Sequence, residues 1–148
     1  MDLASEVVEW ATAISTNKEN NRRIVFRYAK KFRAEFDRSL QPIRIIIVWN
    51  YQSETGMPES EQHQRMNELE DALEPVLEND RFATLALVST GENSREWTYY
   101  ARSEAEFGAR FDFAVAGMAE FPIEIHTAKD PEWSTYEKFI AGVKGEVN

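Results

Sequence analysis

The stretch IRIIIVWNY, residues 43–51, is apolar on both of the faces that a strand's two-residue period creates. Ile43, Ile45, Ile47 and Trp49 share one face, while Ile46 and Val48 lie on the other. Water against either face would forfeit apolar burial, so the pattern predicts a central strand covered on both sides. Whatever supplies the second cover decides the architecture.

Downstream, after the loop QSETGMPES, Met66, Leu69, Leu73 and Leu77 recur at helical spacing, opposite a face carrying Glu68, Glu70, Asp71, Glu74 and Glu78. Pro75 removes a backbone donor and predicts a kink or an end near Glu74. FATLALVST and REWTYYAR flank the turn GENS and read as a hairpin. Ser103 and Glu106 then form the S-x-x-E capping box of a helix whose buried stripe is Phe107, Phe111, Ala114 and Met118, with Gly117 as its C-cap. FPIEIHTA is the last strand and DPEWSTYEKFIAGV the last helix. In that helix Asp130 is placed as N-cap, Pro131 in the first helical position and Glu132 in the first turn, with Trp133, Tyr136, Ile140 and Val143 as the packing face.

Upstream, VEWATAIS, the polar TNKENN and RRIVFRYAKKF read as a hairpin, with Ile24, Phe26 and Tyr28 on one face of the second strand and Arg23, Val25 and Arg27 on the other. A helix over residues 3–14 is the competing reading. From residue 43 the order is strand, helix, strand, strand, helix, strand, helix. This predicts a single α+β domain over residues 1–148, a ferredoxin-like split βαβ (βαββαβ) with an N-terminal β-hairpin and a C-terminal helix. The two inner helices cover one face of the sheet. The other falls to the C-terminal helix, the N-terminal hairpin or a second subunit, in that order of preference.

The 148 residues are 43 % apolar, 29 % charged and 12 % aromatic, the composition of a globular chain. No apolar run approaches the roughly twenty residues needed to span a bilayer. The opening MDLASEVVEW lacks the basic and apolar regions of a signal peptide, so a cytoplasmic protein with no membrane association is expected. Without cysteine there is no disulfide, thiol nucleophile or thiolate metal site, and His63 and His126 alone are too few for a multi-histidine zinc site. No metal or other cofactor is expected. The net charge of −9 divides unevenly: residues 1–50 carry nine Lys and Arg against six Asp and Glu, and the remainder eight against twenty. Such acidity disfavours nucleic acid as a partner.

Alternation places Arg95, Trp97 and Tyr99 on one strand face, a set able to stack on a planar ligand and fork onto a carboxylate or phosphate. Asp130, Trp133 and Tyr136 join them as candidate ligand-binding residues, although the helix start already accounts for these three. Glu70, Asp71 and Glu74 on the acidic helix, with Arg23 and Arg27 on the basic strand, are the candidate partner-binding residues. Arg23, Arg27, Lys31 and Arg33 form a row able to follow a phosphate backbone or simply to guard an exposed strand. Glu124 and His126 share a strand face as an acid/base pair would. G-x-S-x-G, Walker, dinucleotide and HExxH motifs are all missing from the sequence, and no catalytic residue is assigned.

REWTYY followed about thirty residues later by FPIEIHTAKDPEWSTYEKF resembles the bacterial family catalogued as domain of unknown function six-nine-five. The likeness spans most of the chain and is strongest over about residues 80–140. It implies an α+β domain in a bacterial cytoplasm, and the family is sometimes found joined to a domain similar to the type B regulator of ribonuclease E activity. With no catalytic motif and a surface of two charge signs, the expectation is a small protein-binding or regulatory domain without catalytic activity, a monomer or homodimer. A small-molecule site or enzyme around Arg95, Trp97, Tyr99 and Asp130 is the alternative, and a weak binder of single-stranded nucleic acid the second.

Overall fold

In the computed structural model, which describes residues 5–147, the chain runs β1 (Val7–Thr16), β2 (Arg23–Phe32), β3 (Ile43–Asn50), α1 (Ser60–Leu77), β4 (Ala83–Gly91), β5 (Ser94–Ala101), α2 (Glu104–Val115), β6 (Ile123–Lys129) and α3 (Ser134–Val147). The strands form one six-stranded sheet in the order β1-β2-β4-β5-β3-β6, with every neighbouring pair antiparallel. The N-terminal segment is the expected hairpin and not a helix over its described residues.

The clearest periodicities fold as read. Met66, Leu69, Leu73 and Leu77 of α1 are buried against Ile45, Ile47 and Trp49, with Phe107 and Phe111 of α2 in the same cluster. The β4–β5 hairpin closes through Glu92 and Asn93, whose φ values of 49° and 67° are those a two-residue primed turn requires. A side chain on the preceding Gly91 would bring its Cβ to 2.4 Å from the Arg23 carbonyl oxygen, so glycine here lets β2 lie against β4.

The second cover is α3, the first of the three options. Trp133 and Tyr136 pack with Ala29, Ala86 and Tyr100 in a cluster separate from the α1–α2 core. Phe139 meets Phe26 and Tyr28, at ring-centroid distances of 4.9 and 5.2 Å. Several local expectations yield to this packing. Strand β3 is interior but lies next to the edge strand β6, and Ile46 and Val48 are only half-buried; the strand buried along nearly its whole length is β4. Pro75 sits inside α1 without ending it: Leu77 is buried in the core beyond it, and the Glu78 N–H makes the helical bond to the Glu74 carbonyl at 2.9 Å. Met118 lies beyond α2 and is exposed. Gly117, at φ 82°, does provide the left-handed residue that follows the helix.

The largest departure is at the start of α3. Asp130, Pro131, Glu132 and Trp133 make a turn closed by the Trp133 N–H on the Asp130 carbonyl at 2.9 Å, and the helix begins only at Ser134. Pro131 and Glu132 are therefore outside it. Asp130 still caps, from further back: its carboxylate accepts from the Ser134 N–H at 2.8 Å, the Thr135 N–H at 3.1 Å and the Tyr100 hydroxyl at 2.7 Å. Desolvation acts to raise its pKa, but the hydrogen bonds from Tyr100, Thr135 and Ser134 outweigh it and hold the carboxyl below its ordinary value. Trp133 takes φ 56°, a left-handed conformation costly for so bulky a residue. The strain is held by packing on every side. The indole stacks on Tyr100 at 4.1 Å and 9°, donates to the Gln41 carbonyl at 3.0 Å and meets Phe32 and Phe36 edge-on.

Glu78 closes the other end of the core. The ladder is irregular between Leu85 and Leu87, and the Leu85 N–H donates instead to the buried Glu78 carboxylate at 3.1 Å. Burial pushes that carboxyl up to about 7, with Glu74 and Glu70 adding to the shift and the Leu85 N–H and Arg27 opposing it.

Two outcomes follow for urea unfolding. Trp133→Ala should cost about 3–5 kcal/mol, and Trp133→Gly should be the more stable of the two by roughly 1 kcal/mol because glycine carries no penalty at positive φ; an alanine variant equal to or better than glycine would refute the strain at this position. Since the Glu78 carboxyl binds its proton more tightly when folded, stability should fall as pH rises from its ordinary value of 4.5 to about 7 and then level off. The drop should be about 3 kcal/mol in the wild type and largely absent in Glu78→Gln, which keeps an acceptor for Leu85.

Candidate functional site

Neighbouring residues of a strand point to opposite faces, and β5 uses this to serve both layers. Trp97 and Tyr99 enter the α1–α2 core, whereas Tyr100 joins Trp133, Tyr136 and Asp130 on the α3 side. Arg95 lies on the Trp97 side. The six ligand-binding candidates Arg95, Trp97, Tyr99, Asp130, Trp133 and Tyr136 are thus divided by the sheet and are not gathered round one pocket. Trp97 and Tyr99 are core residues, at 1 % and 0 % exposure, and Asp130, Trp133 and Tyr136 dock α3. Burial raises the hydroxyl pKa of Tyr99 and, with the Asp130 carboxylate as acceptor, that of Tyr100; Tyr136 is pushed up to about 12, again chiefly by desolvation.

Arg95 differs from the other five. It is 7 % exposed and lines a cavity of ≈ 290 Å³ between the β1–β2 hairpin and the start of α1. Val25, Val88, Met57 and Pro58 provide apolar wall, and Thr12, Thr90, Arg27 and His63 provide polar groups. The Arg95 Nε–H donates to Thr90 Oγ1 at 2.8 Å. Its two terminal nitrogens make no hydrogen bond or ion pair with the described residues and are not sealed from solvent, and the guanidinium carbon stands 5.8 Å from the Trp97 ring centroid. Desolvation lowers the Arg95 pKa, partly countered by the field of Glu70.

Glu70 cannot serve Arg95 more directly because it is already engaged. Its carboxylate accepts from Arg27 Nη2 at 2.7 Å and from Trp97 Nε1 at 2.9 Å, joining α1 to β2 and β5. Of the partner-binding candidates, Glu70 and Arg27 are therefore spent on each other, while Asp71, Glu74 and Arg23 are exposed. The basic row is likewise interrupted: Arg27 is paired and Arg33 Nε donates to the Ser5 carbonyl at 2.9 Å, leaving Arg23 and Lys31 exposed. Glu124 and His126 stand 3.9 Å apart on the edge strand β6, both well exposed. Among the described residues no three His, Asp or Glu side chains gather as a metal site requires, and no helix is long and apolar enough to cross a membrane.

One surface was not anticipated. Strand β1 is the other edge of the sheet, ten residues long, and Val8, Trp10 and Ile14 on it are 51 %, 37 % and 50 % exposed. The Arg27 guanidinium lies 5.3 Å from the Trp10 ring, and Thr12, between Trp10 and Ile14, reaches the cavity that holds Arg95. The alternation of VEWATAIS shows which residues share a face, but not that α1 stops short of it.

Among curated proteins, none matches this chain. A family model does match, over residues 8–141, from β1 into α3, and the chain accordingly belongs to the family of unknown function DUF695.

Proposed function

We propose that this is a cytoplasmic, non-catalytic domain that binds another protein by adding a strand of that partner to β1. The observation that carries the reading is the free edge itself. Edge strands are normally blunted by proline, lysine, bulges or short length; β1 has ten residues, no proline and no lysine, its register irregularities are confined to Val7–Trp10, and it exposes Val8, Trp10 and Ile14. A row of open backbone groups supplies affinity in strand addition, and alternate side chains supply selectivity. The acidic-helix version of partner binding loses one of its three residues, since Glu70 is bound within the fold.

The order β4-β5-β3-β6 and the antiparallel pairing also support a ferredoxin-like unit for residues 43–129, to which the N-terminal hairpin adds two strands beside β4. In that reading β1 is an appended edge, placed away from the two-layer core.

A Trp10→Lys, Ile14→Lys double variant tests this, because lysine at an edge opposes strand addition while exposed positions tolerate substitution to within about 0.5–1 kcal/mol. Affinity capture from native lysate should yield a stoichiometric partner with the wild type and not with the variant. The partner should also slow hydrogen exchange at the β1 amides. A partner retained by the variant, or protection confined to α1, would refute the edge reading.

A further inference from the structure

We propose that the cavity lined by Arg95 is a binding site for a carboxylate carried on a small apolar body. A buried arginine is normally paired, because an isolated charge removed from water costs several kcal/mol. Arg95 is more than nine-tenths buried as a residue and its guanidinium lies over the Trp97 ring, 5.8 Å from the centroid, yet its only hydrogen bond among the described residues is from Nε to the Thr90 hydroxyl, and its terminal nitrogens keep contact with solvent. That bond occupies Nε and leaves the two terminal nitrogens without a protein acceptor, on a side chain that lines the cavity. This is the fork that takes both oxygens of a carboxylate. The nearest internal candidate, Glu70, is held by Arg27 and Trp97.

The walls select what the carboxylate is attached to. Val25, Val88, Met57 and Pro58 offer no hydrogen bond from their side chains, so a bare phosphate, although Arg27, His63 and the threonines could meet some of its oxygens, gains nothing from this wall, whereas an apolar body gains there by burial. A volume of ≈ 290 Å³ suits a ligand of about one ring. Thr90 is a positioning residue here, and Thr12 stands at the exposed mouth. The site does not depend on whether β1 accepts a partner strand.

The test is an NMR titration of the full chain with sodium benzoate, sodium acetate and inorganic phosphate at constant ionic strength, following the backbone amides of Thr12, Thr90 and Arg95. Benzoate should produce saturating shifts with a Kd at least about tenfold below that of acetate, and phosphate should not exceed acetate. Arg95→Lys keeps the charge but not the fork and should weaken benzoate by about tenfold. Thr12→Glu, at an exposed strand position that leaves the core intact, sets a carboxylate at the mouth and should abolish the response. Shifts that fail to saturate, or that persist unchanged in Thr12→Glu or Arg95→Lys, would overturn the site. A benzoate affinity no better than acetate's, or a phosphate affinity above both, would overturn the ligand class.

Discussion

Strand β4 has almost no exposed residue along its length, and this one condition organises the molecule. A strand buried on both faces needs a layer on each, and β4 receives the apolar stripes of α1 and α2 on one side and the aromatic start of α3 on the other. Its polar residues then need partners from elsewhere, since a buried hydroxyl without a hydrogen bond is costly. Thr84 is met by the Gln41 side chain at 2.7 Å, which ties the β2–β3 connection beneath the sheet, and Thr90 by Arg95. The two threonines thus account for the placement of a buried glutamine and a buried arginine that no apolar pattern would bring inside.

Much of the fold was readable because each element carries its own period. The two-sided strand at Ile43–Asn50, the stripe of α1 and the GENS turn all depend on residues close in sequence. The expectations that failed depend on what lies across the fold. Nothing near Pro131 discloses that Trp133 will stack on Tyr100 and delay the helix to Ser134, and the continuation of α1 past Pro75 is settled by its burial through Leu77. The candidate site was half readable for the same reason. Arg95 stands out as a charge within an aromatic strand, but its surroundings come from β1, β2, the loop before α1 and β4, and no spacing announces that meeting. Asp130 was grouped with it because sequence does not say which face α3 will take.

Charge is partitioned sharply around Glu70. Two guanidinium groups lie within its field, and the one on β2 takes it while the one on β5 is left to a hydroxyl. An exposed ion pair contributes little by itself. This one is partly sheltered and shares its acceptor with the Trp97 indole, so it ties the N-terminal hairpin to the helix layer at the place where the hairpin outreaches that layer. The overhang and the unpaired arginine are two results of the same arrangement.

The α3 cover has a consequence for the chain while it is being made. Every strand of the sheet precedes residue 130, yet the aromatic side chains that close the second face, Trp133, Tyr136 and Phe139, come after it. The last residue of the sheet is therefore joined to the chain before the residues that cover its second face, and until that segment docks Tyr100, Tyr28 and Phe26 are uncovered on one side. A one-sided sheet of this kind exposes apolar surface until the last segment docks, the condition under which incompletely folded chains engage chaperones or one another.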